Sequence, residues 1–412
     1  MAAGNALNAS VAGVFVRADE MIPSIELRDY WLGSLRQFKT LEDLRRSAFF
    51  ADCGKEIEAY LGTPQMMPFS GAIPRLKAFL RVVEWNIEKG KRSDGIARSL
   101  QDDEILKWAD IAILNEADYG MNRSHNRHVA RDLAESLGMH AVFAPAHFEL
   151  TKGTDDELNL EGENRESLQG NAILSRHPIQ EACIVALPAA FEPYEFEEKR
   201  FGRRNCLWAR IQLQKSSIWV GSVHLELRNT PASRARQMRH IMEHLPGGRD
   251  SVYLLGGDLN ANTFKRGAVL RTMQSVFRLL IASPSRIKKQ LLHPEHGKEP
   301  LFKVLRHHGF VWEGFNTNEE TARADIASLE EAGSLPLPLL QAIHRRLEPY
   351  EGHLCFKLDW LLAKNIRALT DEQKQDIHAS VSSSGPGCRK GENSGPQRLS
   401  DHLPIYADFD LA

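Results

Sequence analysis

Polar side chains recur just beyond apolar, strand-like runs of this chain. Asn86 and Glu88 follow RVVEW, Glu116 follows IAIL, and His224 follows WVGSV. Asp258 and Asn260 follow VYLLGG, Asp359 lies in FKLDW, and Asp401-His402 precede LPIYADF. A carboxylate at the end of a buried strand is costly unless it is paired or binds a cation. One such residue means little, whereas several strand ends of this kind predict a polar site gathered at one rim of a sheet structure. Glu116, Asp258, Asp401 and the amide oxygen of Asn86 are hard oxygen donors, which suit Mg²⁺ or Mn²⁺ better than zinc. His224 and His402 are available for proton transfer or for a phosphate oxygen. Carboxylates, an amide and two histidines around a hard cation form the set that phosphate-ester hydrolysis requires.

The elements that must position these residues alternate. FLRVVEWNIE, DIAILNE, HAVFAPAHFEL, NAILSR, LWARIQL, SIWVGSVHLEL and SVYLLGGDLNA read as strands, with CFKLDWLLA and LPIYADFDLA as closing strands. DGIARSLQDDEILKWA, RHVARDLAESLG and SRARQMRHIMEHL carry helical spacing. The order predicts a layered α/β or α+β sheet structure. Residues 1–79 form a helical N-terminal extension, read as a packing appendage, ahead of a catalytic domain over 80–412. Residues 263–350 form a mainly helical insertion bearing Lys265, Arg266, Arg286, Lys288, Lys289, Lys298, Lys303 and Arg306. TDDELNLEGENRE and EPYEFEEKR read as solvated acidic loops, and SSSGPGCRKGENSGP as a flexible loop before Asp401. His125, His128, His307 and His308 read as surface or helix-face histidines, and Trp85, Trp208, Trp219 and Trp360 as core.

Taken singly, each site residue has a plainer role. Asp258 with Asn260 makes a good Asx turn. Asp401 suits a helix cap, His402 a hydrogen-bonded structural histidine, Asp359 a satisfied buried carboxylate, and Asn171 a loop tie. The ordered set outweighs these readings. Eight segments, in order, resemble the endonuclease/exonuclease/phosphatase superfamily: EWNIE (84–88), ILNEAD (113–118), QGNAILSRHPI (169–179), VGSVHLE (220–226), RARQ (234–237), LLGGDLNAN (254–262), KLDWLLA (357–363) and LSDHLPIYADF (399–409). The resemblance implies a four-layer α/β sandwich, with two mostly antiparallel sheets face to face and helices outside. It implies Glu116 as principal metal ligand with Asn86 beside it, and Asp401 serving the metal or the water. Asp258 would orient or deprotonate that water, and Asn260 would contact the scissile phosphate. His402, its ring held by Asp359, would bind the phosphate. His224 would contact phosphate or protonate the leaving group, and Asn171 would face the phosphate. Asn115 stands where Gln is commoner, Glu88 sits at a variable position, and the 263–350 insertion is longer than usual.

The implied function is Mg²⁺- or Mn²⁺-dependent hydrolysis of a phosphate ester, with a nucleic-acid strand as first substrate. A small phosphorylated molecule or phospholipid head group, and a non-catalytic phosphate- or partner-binding module, stay open as alternatives. Composition bounds these readings. With 412 residues, 52 Lys plus Arg and 54 Asp plus Glu, the formal charge is −2 and gives no global pull toward nucleic acid. No apolar run approaches the roughly 18 residues of a membrane span. The apolar N-terminal patch has no basic region before it, so no secretory signal is expected. Cys53, Cys183, Cys206, Cys355 and Cys388 are widely scattered, as reduced thiols of a cytoplasmic protein would be.

Overall fold

The computed structural model of the chain describes residues 23–265, 273–275, 277–278, 281–325, 337–348, 353–369, 375–376, 379–390 and 398–410. Three helices come first: α1 (Ile25–Gln37), α2 (Leu41–Arg46) and α3 (Ala48–Leu61). Ser24, Thr40 and Ser47 cap them, each hydroxyl accepting a backbone N–H of the first turn.

One sheet takes β1 (Gln65–Met67), β2 (Phe79–Asn86), β3 (Ile111–Tyr119), β4 (His140–Glu149) and β5 (Leu168–Ser175) from the first half. The other collects β6 (Ile179–Ala186), β8 (Asn205–Gln212), β9 (Ser217–Val223), β10 (Tyr253–Asp258) and β13 (Asp359–Lys364), in the order β13-β10-β9-β8-β6. The first sheet is completed by β7 (Arg200–Gly202) on β4, and by β14 (Ala368–Leu369), β15 (Gly387–Cys388) and β16 (Ile405–Asp410). Its main order is β1-β4-β5-β3-β2-β16-β14. Pairings β2·β3 and β9·β10 are parallel, and the others described are antiparallel. Helices α4 (Ser93–Asp102) and α5 (Val129–Leu137) link β2, β3 and β4, and α6 (Pro231–Glu243) links β9 to β10. The segment between β10 and β13 carries α7 (Pro284–Leu292), α8 (Leu301–His307), β11 (Ala322–Asp325), α9 (Leu337–Leu347) and β12 (His353–Phe356), with β11 and β12 forming a separate ribbon.

Strand alternation assigns the layers. Leu80, Val82, Ile111, Ile113, Val142 and Ile173 point inward and meet Leu207, Ala209, Ile211, Val220, Leu254 and Leu361 of the facing sheet. The opposite face of the first sheet, including Val83, Trp85, Ala112 and Leu174, packs against α1 to α5. The outer face of the second, including Trp208, Tyr253 and Trp360, packs under α6 and α8. The result is the expected sandwich of helix, sheet, sheet and helix layers.

Three expectations need correction. CFKLDWLLA is two strands, because the Thr321 hydroxyl takes the N–H groups of Leu358 and Asp359 (3.0 and 3.1 Å) where the chain changes sheets. Within SSSGPGCRKGENSGP, Gly387–Cys388 pairs with β16, while residues 391–397 lie outside the described residues. His128 is buried, accepts the Arg131 N–H at the start of α5 and stacks on Tyr119 (centroids 4.1 Å apart). Of the histidines read as surface, it is the one that the core absorbs.

Candidate active site

The inward alternation of each strand ends at the same edge of the sandwich. Along β2 the inner-face series Leu80, Val82 continues as Glu84 and Asn86. On β10 Leu254 leads through Gly256 to Asp258, and on β9 Val220 leads through Ser222 to His224. An apolar series turning polar at one end places these groups where the two sheets open.

Asp258 lies at the centre. Its Oδ1 accepts the Asn260 N–H (2.8 Å). Its Oδ2 accepts from the side-chain amides of Asn86 and Asn260, each at 3.3 Å, and lies 3.2 Å from His224 Nε2. Burial would lift its pKa, but His224, its hydrogen bond and His402 hold the carboxyl well below the usual carboxylate range. Asn260 has φ 48°, so the Asx turn read from DLN forms, and its amide also donates to Leu225 O (3.0 Å). Gly257 before Asp258 has φ 148°, and a Cβ there would fall 1.8 Å from Val223 O. A side chain at that position is incompatible with the close β9–β10 approach.

Glu116 reaches the site through a bulge. Pairing of β3 with β5 slips between Leu114 and Ala117, and Glu116 adopts φ 56°. Its Oε1 accepts from the Asn86 amide (3.2 Å) and lies 3.9 Å from His224 Nδ1. Burial works against its charge, but His224, Lys89 and Arg204 outweigh burial and lower its pKa to about 2. As oriented, Asn86 turns its Nδ2 toward the two carboxylates, while its Oδ1 accepts the Glu88 N–H (3.2 Å).

The last segment closes the ring. Ser400 Oγ donates to Asn86 O (2.7 Å), and Trp85 Nε1 donates to His402 O (3.0 Å). The Asp401 N–H donates to Glu88 Oε2 (3.1 Å), and the other Glu88 oxygen meets Lys91 (2.9 Å). Burial raises the Asp401 pKa; His402 opposes this, and the carboxylates of Glu88 and Glu116 add to it. His402 Nδ1 lies 2.8 Å from Asp359 Oδ2, and its Nε2 is 3.9 Å from Asp258 Oδ2. Burial would lower the imidazole pKa, but Asp359, Asp401 and Asp258 hold it well above 6.5.

All nine predicted site residues therefore line or support this rim. Asn171 is the furthest removed in role. Its Oδ1 accepts from Asn115 (2.8 Å), and its Nδ2 donates to the backbone and side-chain oxygens of Asn205 (3.1 Å each). Sequence reasoning missed the ties between the sheets. Asn115 Nδ2 also donates to Ser222 Oγ (3.1 Å), while its Oδ1 accepts the Asp258 N–H (2.8 Å). Glu84 was passed over too. It is fully buried below the site, and neither carboxyl oxygen has a hydrogen-bond partner among the described residues. Burial, with Asp359 and Asp258 nearby, raises its pKa well above the usual range. The signal for it lies in the alternation, which puts Glu84 on the same face as Asn86.

One charged feature departs from expectation, and a second bears on the substrate. The acidic loops are not simply solvated: Glu157 and Glu198 converge on Arg123 (3.2 and 3.0 Å), which also pairs with Asp118 (2.8 Å). Lys89, beside the site, joins them through Glu157 (3.1 Å). An arginine buried this deeply requires such partners. The described basic residues of the insertion, Lys265, Arg286, Lys288, Lys289, Lys298, Lys303 and Arg306, are exposed, and none lines the cleft that opens from Glu116 and Asp401. Arg266 lies outside the described residues.

Among solved structures, the chain is similar to an endonuclease/exonuclease/phosphatase from Beutenbergia cavernae DSM 12333 (17% identity, 82% of this chain and 72% of that one, TM-score 0.47). It is also similar to an endonuclease/exonuclease/phosphatase family protein from Leptotrichia buccalis C-1013-b (12% identity, 81% and 100%, TM-score 0.45). A third similar structure is an AP endonuclease from Archaeoglobus fulgidus (16% identity, 81% and 100%, TM-score 0.44). No curated protein matches. Residues 83–402, more than half of the chain, match the description of a single family. The chain belongs to the Endonuclease/Exonuclease/phosphatase family.

Proposed function

We propose that the protein is a divalent-metal-dependent phosphoester hydrolase whose first substrate class is a nucleic-acid strand. One observation carries this reading: Asp258, held ionised, is ringed by Asn86, His224, Asn260 and His402, beside the carboxylates of Glu116 and Asp401. The donor set fits a hard cation. Glu88, Glu116 and Asp401 crowd together, and the first two make Asp401 harder to ionise. A bound cation relieves such crowding. Glu116 and Asp401 would hold Mg²⁺ or Mn²⁺, with Glu88 and Asn86 adjoining. The ion supplies charge neutralisation at phosphate and a more acidic bound water.

The protein's own groups account for the rest. Asp258 orients the attacking water by hydrogen bonding and draws its proton as the new O–P bond forms in line with the ester bond that breaks. His402, protonated and fixed by Asp359, donates from Nε2 to a non-bridging oxygen. Its charge is in place before the phosphorane-like state develops, which is what makes such a donor effective. Asn260 flanks the same position and is assigned to the phosphate, and His224 to the phosphate or to protonating the leaving oxygen as the ester bond breaks. Asn171, with both ends of its amide engaged, is assigned to holding the two sheets in register.

A second reading is a small phosphorylated substrate. The cleft favours it, because Arg200, Arg204 and Lys89 along its wall are paired with Glu149, Glu226 and Glu157. A nuclease with several phosphate contacts loses affinity steeply with salt, and a small-ester hydrolase does not. The test is turnover of single- and double-stranded DNA, RNA, a generic phosphodiester and inositol phosphates, with Mg²⁺, Mn²⁺ or chelator, over a salt series. Metal-dependent turnover is expected. Equal turnover in chelator would remove the reading.

A further inference from the structure

The cleft beside Glu116 and Asp401 has a volume of about 780 Å³ and extends to residues beyond the family match, among them Leu41, Arg45 and Leu61 of the N-terminal helices. That volume is within the range of pockets that bury a small ligand. One wall is the segment from Leu187 to Arg204. The N-terminal helices hold that wall directly. Glu195 Oε1 accepts the Leu41 N–H at the start of α2 (3.3 Å), and the Tyr194 hydroxyl donates to Leu35 O. Lys199 Nζ donates to Arg36 O (3.2 Å) and to Phe38 O. On the far side, Arg200 Nε lies 2.8 Å from Glu149, and Glu198 lies 3.0 Å from Arg123. The segment is clamped from both sides, so its surface is preorganised for a ligand.

The clamped wall has two chemical characters. Phe191 and Phe196 meet edge to face (5.4 Å), and the Arg228 guanidinium lies 4.0 Å from the Phe196 centroid. Phe196 is 38% exposed. Lining the same cleft, Arg203 of the wall and Arg45 of α2 are exposed and make no ion pair among the described residues. These two guanidinium groups belong to separate parts of the chain and border one cleft.

We infer that the N-terminal helices and the clamped wall together form a substrate subsite for a second anionic group, contacted by Arg203 and Arg45, with the adjoining ring or apolar body resting on Phe191 and Phe196. This rests on the phosphoester reading for the reacting phosphate. The ligand class is a short phosphate ester carrying a further negative charge, such as the last few nucleotides of a strand.

The probe is a fluorescently labelled thymidine trinucleotide with the full-length protein and Mg²⁺, read by anisotropy for binding and by product formation for turnover. Arg203→Ala and Arg45→Ala should each weaken binding and raise KM about tenfold, with kcat within about twofold, and Arg203→Lys should recover part of the loss. Lys288→Ala with Lys289→Ala, on α7 outside the cleft, should change neither quantity. Unchanged KM in both arginine variants, a fall in kcat alone, or no trinucleotide binding by the wild type would overturn the subsite. Arginine-dependent binding without turnover in the wild type would instead count against a nucleic-acid strand as the substrate and leave the subsite standing.

Discussion

Asp258 shows how residue-scale chemistry is set by neighbours rather than by residue type. A buried aspartate would normally resist ionisation, yet His224, its hydrogen bond, His402 and the Asn260 N–H reverse that tendency. Asp258→Asn keeps the shape and removes the charge that orients water. It should cut kcat by about 10² to 10⁴-fold with an unchanged far-ultraviolet spectrum, and wild-type-like turnover would remove Asp258 from the mechanism. The residues at strand ends were legible in the sequence because each adjoins an apolar, strand-like run that stops abruptly. Asn115, Asn205 and Ser222 were not, since a polar residue inside a strand looks the same whether it meets solvent or a facing sheet. Their partners belong to other strands, and that pairing exists only once the sheets close.

At the scale of elements, geometry at a few backbone positions delivers the side chains. The β3 bulge turns Glu116 into the site, and Gly257 lets β10 approach Val223 closely enough to deliver Asp258. Gly257→Ala should cost about 3 kcal/mol or more in urea denaturation, because both the φ value and the contact forbid a Cβ. A midpoint equal to the wild type would show that the approach can relax. The N-terminal helices make a further case. Trp31, Leu32, Leu35, Leu44, Ile57, Tyr60 and Leu61 share one buried cluster with β2 to β5. Removing residues 1–62 should therefore strip about 10 kcal/mol or more of apolar burial and leave an unfolded or aggregating product by calorimetry. A cooperatively folded remainder would show that the fold does not need these helices. Helical spacing announced the helices in the sequence, but nothing in it showed the sheet face that they cover.

For the whole molecule, buried ionisable groups tie stability to pH in opposing directions. Burial lowers the His128 pKa to about 3, below its unfolded value near 6.5. The unfolded chain therefore binds the extra proton first. The contribution of neutral His128 is complete above pH 6.5 and is lost as pH falls below it. Asp110, which burial raises to about 7, runs the other way over the same window. The His128 term is isolated by difference. Between pH 7 and pH 5, wild type should lose about 2 kcal/mol relative to His128→Asn in paired denaturation curves. A constant difference between the two proteins would mean that His128 keeps an ordinary pKa. No helix among the described residues is long and apolar enough to cross a membrane. A layered sheet structure was legible from strand and helix order and the sandwich from the family resemblance, whereas the buried charge network around Arg123 was not legible. Its acidic partners sit in stretches whose composition reads as solvated loop.

The central claim is that carboxylates from opposite ends of the chain meet at one divalent cation. Calorimetric titration of Mn²⁺ into the wild type, Glu116→Gln and Asp401→Asn tests it most directly. Saturable binding by the wild type, weakened about tenfold or more in both variants with folding intact, is the predicted result. Wild-type-like titration of both variants, or no saturable binding by the wild type, would contradict it.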